Sequence, residues 1–188
     1  GKFDDCQAIV KKAFNDNSLS SFNLTSANSI NFGRLLPQSI YYFYGYSRVG
    51  KGEEVIFSVP SGNFGNLMGG VLAKNMGLPI KKFVVGVNEN DEFPHFLKTG
   101  RYKAVVPSKE CSSNAMNVGH PSNLARLIDM YGGWLTDERD RKGNITRKGV
   151  LMKTPDMNAL RKDFISYSIK EKQVDETIVN FYKKYGIL

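Results

Sequence analysis

A chain of 188 residues that is 41% hydrophobic has apolar content for one core and one domain. Its 26 basic against 18 acidic residues, net +8, favour an anionic partner only mildly, and scattered pairs such as Lys11-Lys12, Lys81-Lys82 and Lys183-Lys184 make no dense patch for nucleic acid. Two cysteines and two histidines exclude a disulfide framework and suggest no metal centre, and no apolar run is long enough to span a membrane.

Helical periodicity begins at once, with Phe3, Cys6, Ile9, Val10, Ala13 and Phe14 on one face of a first helix. A second helix is predicted over 30–46, irregular at Pro37. The run Val55-Ile56-Phe57-Ser58-Val59 reads as a strand, 67–76 as a helix stopped by Gly77-Leu78-Pro79, and 82–87 as a second strand. Strand, helix, strand at this spacing predicts a parallel βαβ unit, with ligands beyond the C-terminal strand ends. Further on, 91–99 reads as a short helix and 103–106 as extended. Ser122 is read as the cap of a helix over 123–131, and 132–149 as a long, charged loop. Two final helices are predicted, over 158–170 and 175–184.

The chemistry concentrates in Ser61, Gly62, Asn63, Phe64, Gly65 and Asn66, a Gly-rich turn between strand and helix. Free backbone N–H groups and a helix N-terminus converge on such a turn, which suits a phosphate. Gly62 and Gly65 permit the sharp turn, and the side chains of Ser61, Asn63 and Asn66 add donors. It is neither common nucleotide loop: no Lys follows Gly65 or Gly70 as in a Walker A loop, and the first Gly of the dinucleotide fingerprint is missing ahead of Gly62. Asn28 and Ser29 near a helix start, with Arg34 one to two turns on, make either a helix cap with a solvated arginine or a second oxyanion site.

Four stretches in order resemble the threonine synthase family of fold type II pyridoxal-phosphate enzymes: Gly1-Lys2-Phe3-Asp4-Asp5-Cys6-Gln7, Thr25-Ser26-Ala27-Asn28-Ser29-Ile30-Asn31, Ser58-Val59-Pro60-Ser61-Gly62-Asn63-Phe64-Gly65-Asn66, and Ser112-Ser113-Asn114-Ala115-Met116-Asn117-Val118. The C-terminal third resembles the family more loosely. The resemblance implies an α/β, three-layer parallel-sheet domain of the tryptophan synthase beta-like type, incomplete, with 1–188 as the central part of the large cofactor-binding domain. It implies that Ser61, Gly62, Asn63, Phe64, Gly65 and Asn66 hold the phosphate of pyridoxal 5'-phosphate. It implies likewise that Asn28, Ser29 and Arg34 hold the phosphate of O-phospho-L-homoserine, which the family converts with water to L-threonine and phosphate.

The family's Schiff-base lysine belongs to a Phe-Lys-Asp-type motif that no lysine here matches. Lys2, Lys74 and Lys153 read as surface or stem-burying lysines, so no catalytic residue is assigned within this chain. The expectation is a cytoplasmic enzyme fragment without activity of its own, with cofactor binding by the fragment left open. No nucleic-acid or membrane partner is expected, and self-association is expected through truncated surfaces. Alternatives are another pyridoxal-phosphate lyase or dehydratase, a threonine-synthase-like phospho-lyase, and a non-catalytic phosphate- or nucleotide-binding module. Among the other polar residues, Asn88, Asn90 and Asp91 read as an Asx turn, and Asn114 as a local turn or a pocket-shaping group. His95 and His120 read as structural, Cys6 as core, Cys111 as exposed, and Trp134 as packed on a loop.

Overall fold

The computed structural model describes residues 2–141 and 143–187, with Asp4 described by its backbone. Helices α1 (Phe3–Phe14), α2 (Phe32–Leu35) and α3 (Ser39–Val49) precede strand β1 (Val55–Pro60). Then come α4 (Gly65–Asn75), β2 (Ile80–Val87), α5 (Glu92–Thr99) and α6 (Leu124–Met130). The chain continues through β3 (Trp134–Arg139), β4 (Ile145–Lys153), α7 (Met157–Asp163), β5 (Phe164–Ser168) and α8 (Glu171–Tyr185). The interruption predicted at Pro37 is present as a 3-10 turn, Leu36–Gln38, between α2 and α3. A proline cannot donate to the helical ladder, and the turn absorbs the break.

The main sheet is parallel, in the order β1-β2-β5. The β1-α4-β2 unit is the one predicted, because Val, Ile and Phe runs of strand length flank a Gly-rich turn. Phe57, Phe83 and Phe164 pair across the three strands and share a face. Tyr42 of α3 meets Phe57 and Phe83 edge-on, Phe83 stacks on Phe164 at 5.5 Å, and Phe93 of α5 meets Phe164 edge-on. Gly70 of α4 lies so close to Tyr42 and Phe83 that a Cβ there would approach ring atoms of both to 2.7 Å. Asp163, at the end of α7, joins the same side by accepting from Lys74 and Tyr131. The opposite face of the sheet carries Ile56, Ser58, Val84 and Ile165, which are exposed or half-buried.

Two stretches differ from the sequence expectation. The segment 132–149 is no long loop: β3 and β4 form an antiparallel hairpin across it. Charged side chains along both strands hide the period-2 signal there. The helix expected over 158–170 ends at Asp163, and 164–168 becomes β5 alongside β2. The Phe-Ile-Ser-Tyr-Ser composition suits a pleated, half-buried surface, and pairing with a strand about eighty residues away decides the outcome.

Candidate functional site

At the C-terminal edge of the sheet, Ser61 donates its N–H to Gly86 O and the chain then leaves the ladder. From Gly62 through Asn66, none of the five successive backbone N–H groups has a hydrogen-bond partner among the described residues. Phe64 is the pivot. It adopts a left-handed conformation (φ 62°, ψ 15°), and its buried ring is held edge-on against Phe93 at 5.0 Å. A left-handed residue next to a helix start turns consecutive N–H groups toward one point, a concavity suited to an anion. Gly62 and Gly65 are required by close approach. A Cβ at Gly62 would lie 2.7 Å from the backbone of Met116, and one at Gly65 would lie 2.8 Å from Ser29 Cβ.

The loop's side chains mostly brace it. Ser61 Oγ donates to Asn66 Oδ1 at 2.6 Å, and Asn66 Nδ2 donates to Pro60 O at 2.8 Å. Tyr42 Oη donates to Asn66 O, and burial pushes that phenol up to about 12. The backbone, more than the side chains, is therefore what the loop offers a ligand.

The 28–34 segment reaches this loop through Ser29. Asn28 closes an Asx turn, its Oδ1 accepting from Ile30 N at 2.9 Å. Ser29 Oγ accepts from Asn63 Nδ2 at 3.3 Å and from Asn123 Nδ2 at 2.8 Å. Arg34 is exposed and its guanidinium has no partner among the described residues. Its carbonyl accepts from Gln38 Nε2, and that amide lies beside Gly65. The two predicted phosphate segments are thus adjacent, Ser29 in contact with the loop and Arg34 standing off from it.

No protein-family profile matches the chain. It is 48% identical over 136 residues to threonine synthase of Buchnera aphidicola subsp. Baizongia pistaciae, covering 70% of this chain and 31% of that protein. It is also 48% identical over 143 residues to that of Haemophilus influenzae, covering 72% of this chain and 33% of that protein. The crystal structure of threonine synthase from Brucella melitensis with bound pyridoxal phosphate superposes on all of this chain, and on 41% of its own, with TM-score 0.80 and 31% identity. The chain belongs to the threonine synthase family. Its α/β parallel-sheet fold is that of the fold type II pyridoxal-phosphate enzymes. It spans about a third of the length of these two curated threonine synthases.

Within this threonine synthase fold, sequence reasoning missed Asn123 and Arg126. Arg126 Nη1 donates to Ser29 O at 2.7 Å and to Asn123 Oδ1 at 2.6 Å, and Nη2 donates to Ile30 O at 2.6 Å. Burial pushes the Arg126 guanidinium down. The available signal was a polar pair three residues apart on a helix otherwise built from Leu124, Leu127 and Ile128. Ser122 does not cap α6; its N–H and hydroxyl both donate to Asn63 Oδ1.

Cys6 is exposed and Cys111 is buried, the reverse of the sequence reading, and burial pushes the Cys111 thiol up. In α1 it is Gln7 that faces inward, donating to Ser122 Oγ. Trp134 opens β3 and is exposed, not packed on a loop. His120 is a satisfied structural residue, with Nε2 3.0 Å from Asp137 and Nδ1 2.6 Å from Tyr102 Oη. Asn88 and Asn90 form the expected Asx turn and bind Ser113, Asn117 and Lys109, fixing the segment that packs on Gly62. A cleft of about 990 Å³ lies elsewhere, between α1 and the hairpin, lined by Lys12, Tyr102, Arg139 and Arg147. None of its lining residues belongs to the 28–34 segment or the 61–66 loop. No helix among the described residues is long and apolar enough to cross a membrane.

Proposed function

We propose that this chain supplies the two phosphate sites of a cytoplasmic, pyridoxal-phosphate-dependent enzyme that converts O-phospho-L-homoserine and water to L-threonine and phosphate. The contact between Ser29 and Asn63 carries the reading, because it sets a segment suited to one phosphate against a loop suited to another. The donors fit the cofactor: Gly62, Asn63, Phe64, Gly65 and Asn66 present N–H groups at the start of α4 that have no partner among the described residues. A phosphate monoester accepts hydrogen bonds and carries negative charge, and both properties suit a helix N-terminus. When bound, the cofactor is an electron sink that lowers the cost of removing a proton beside the substrate's amino group.

This chain's own residues bind and orient. The loop anchors one phosphate, and Asn28 Nδ2, the Ser29 hydroxyl and the Arg34 guanidinium receive the substrate's. Holding both ends fixes the reacting carbons between them, and Arg34 is free to swing onto an arriving anion. The lysine that bonds the cofactor is proposed to lie outside these 188 residues, so the chain alone is inactive. Here Lys74 is tied to Asp163, and Lys2 to Ser108 O and Glu110.

The test is release of threonine and phosphate from O-phospho-L-homoserine by the full-length protein with added cofactor, as wild type and as Arg34→Ala. The expected result is turnover by the wild type and a KM raised about tenfold or more in the variant, the loss of a charge-assisted hydrogen bond. A folded, cofactor-loaded protein that releases neither product overturns the reading.

A further inference from the structure

The network behind Ser29 has a direction that hydrogen-bond chemistry fixes. Ser122 N is a backbone donor, so the Asn63 atom that it meets at 2.7 Å must be the amide oxygen. Arg126 has only donors, so the Asn123 atom at 2.6 Å from Nη1 must also be the oxygen. Both amides therefore turn their NH₂ groups toward Ser29, and both reach its Oγ. Asn123 Nδ2 also donates to Asn63 O at 2.9 Å, which locks the amide further. A hydroxyl oxygen has two lone pairs, and here both are filled. What Ser29 retains is its proton, for which no acceptor exists among the described residues.

We propose that Asn123 and Arg126 are positioning residues that make the Ser29 hydroxyl an obligate hydrogen-bond donor, dedicated to the phosphate of the substrate. The inference rests on the two-phosphate reading above and adds what selects the phosphate. A group that only accepts is favoured, whereas a neutral hydroxyl in the same place would offer a competing proton. Arg126 contributes a second element. Its hydrogen bonds go to two carbonyls and an amide oxygen, and no carboxylate forms an ion pair with it among the described residues. Its charge is therefore left to favour an anion at Ser29.

The experiment is a double-mutant cycle in the full-length protein: wild type, Ser29→Ala, Asn123→Ala and the pair. The readouts are KM and kcat for O-phospho-L-homoserine, calorimetric affinity for inorganic phosphate, and affinity for pyridoxal phosphate by absorbance. The expected result is that each single change raises KM, and weakens inorganic phosphate, by about tenfold, while cofactor affinity changes less than threefold. The double variant is expected to be no worse than Ser29→Ala, because Asn123 acts through Ser29. Losses that multiply in the pair would mean that Asn123 acts through general stability, and would overturn the proposal. A loss confined to pyridoxal phosphate would assign Ser29 to the cofactor and overturn it equally. If the wild type makes no threonine yet binds inorganic phosphate with this same coupling, the relay stands and the synthase reading falls. If the wild type turns over and the Asn123→Ala variant matches it, the relay falls and the synthase reading stands.

Discussion

At the scale of single residues, the loop is built by two opposed devices. Phe64 is forced into a left-handed conformation that a large side chain rarely adopts, and its ring is held there by burial against Phe93. Gly62 does the reverse, remaining small so that the backbone of Met116 can touch it. Gly62→Val is therefore expected to push the 114–116 turn off the loop and lower pyridoxal phosphate affinity about tenfold or more, the size of a moderate overpacking penalty. Absorbance titration of the full-length variant, with far-ultraviolet dichroism as the folding control, measures it. An unchanged affinity in a folded variant would falsify the claim that this approach shapes the cradle. The loop was legible in the sequence because its logic is local: Ser61, Asn66 and Pro60 bond one another within six residues. The role of Arg126 was harder to read, because its Ser29 and Ile30 partners lie almost a hundred residues away and its local pairing with Asn123 does not point to them.

Among the elements, the hairpin was the least legible, and half-buried polar contacts of Asp137 help to tie it down. Asp137 on β3 accepts from Gly149 N at 3.0 Å and faces His120 Nε2, whose other ring nitrogen meets Tyr102. Burial alone pushes the Asp137 carboxyl up, but the hydrogen bonds from His120 and Gly149, with the charge of His120, outweigh it and hold the group down to about 2. An unfolded aspartate titrates near ~4. Between these values the unfolded chain binds more protons than the native one, so stability from this group grows with pH. It is fully present above ~4 and is lost as pH falls through about 2. Asp137→Asn is thus expected to lower the urea midpoint near neutrality, with the gap to wild type closing across that acid window. A gap that stays constant with pH would rule out the carboxylate as the source of the stability. The helices were easier to read than the strands for a related reason. Helical spacing is written within a dozen residues, whereas β5 is defined by pairing with β2, and β3–β4 by pairing with each other.

For the whole molecule, the question is what the surfaces contact. Parallel sheets are normally covered on both faces. Here α3, α4 and α5 cover one face, while Ile56 and Ser58 on the other are exposed and Val84 and Ile165 only half-buried. The outer side of α3 presents Ile40, Tyr41 and Tyr44, and α8 presents Ile178, Phe181, Tyr182 and Tyr185, with no residue of α8 buried. The matched threonine synthases are much longer than this chain, so they have further polypeptide with which to cover the equivalent surfaces. Studied alone, these 188 residues are expected to cover them by self-association, because apolar patches of this extent favour burial over hydration. Sedimentation velocity at increasing concentration should give a weight-average mass that climbs above the monomer. Replacing Tyr41 and Phe181 with lysine, at exposed positions on two different helices, should return it toward the monomer with little cost to folding. A monomer that persists across the concentration range would mean that water covers these faces at tolerable cost. If the mass still climbs in the lysine variants, the contact instead runs through the open face or edge of the sheet, where Ile56 of β1 is exposed.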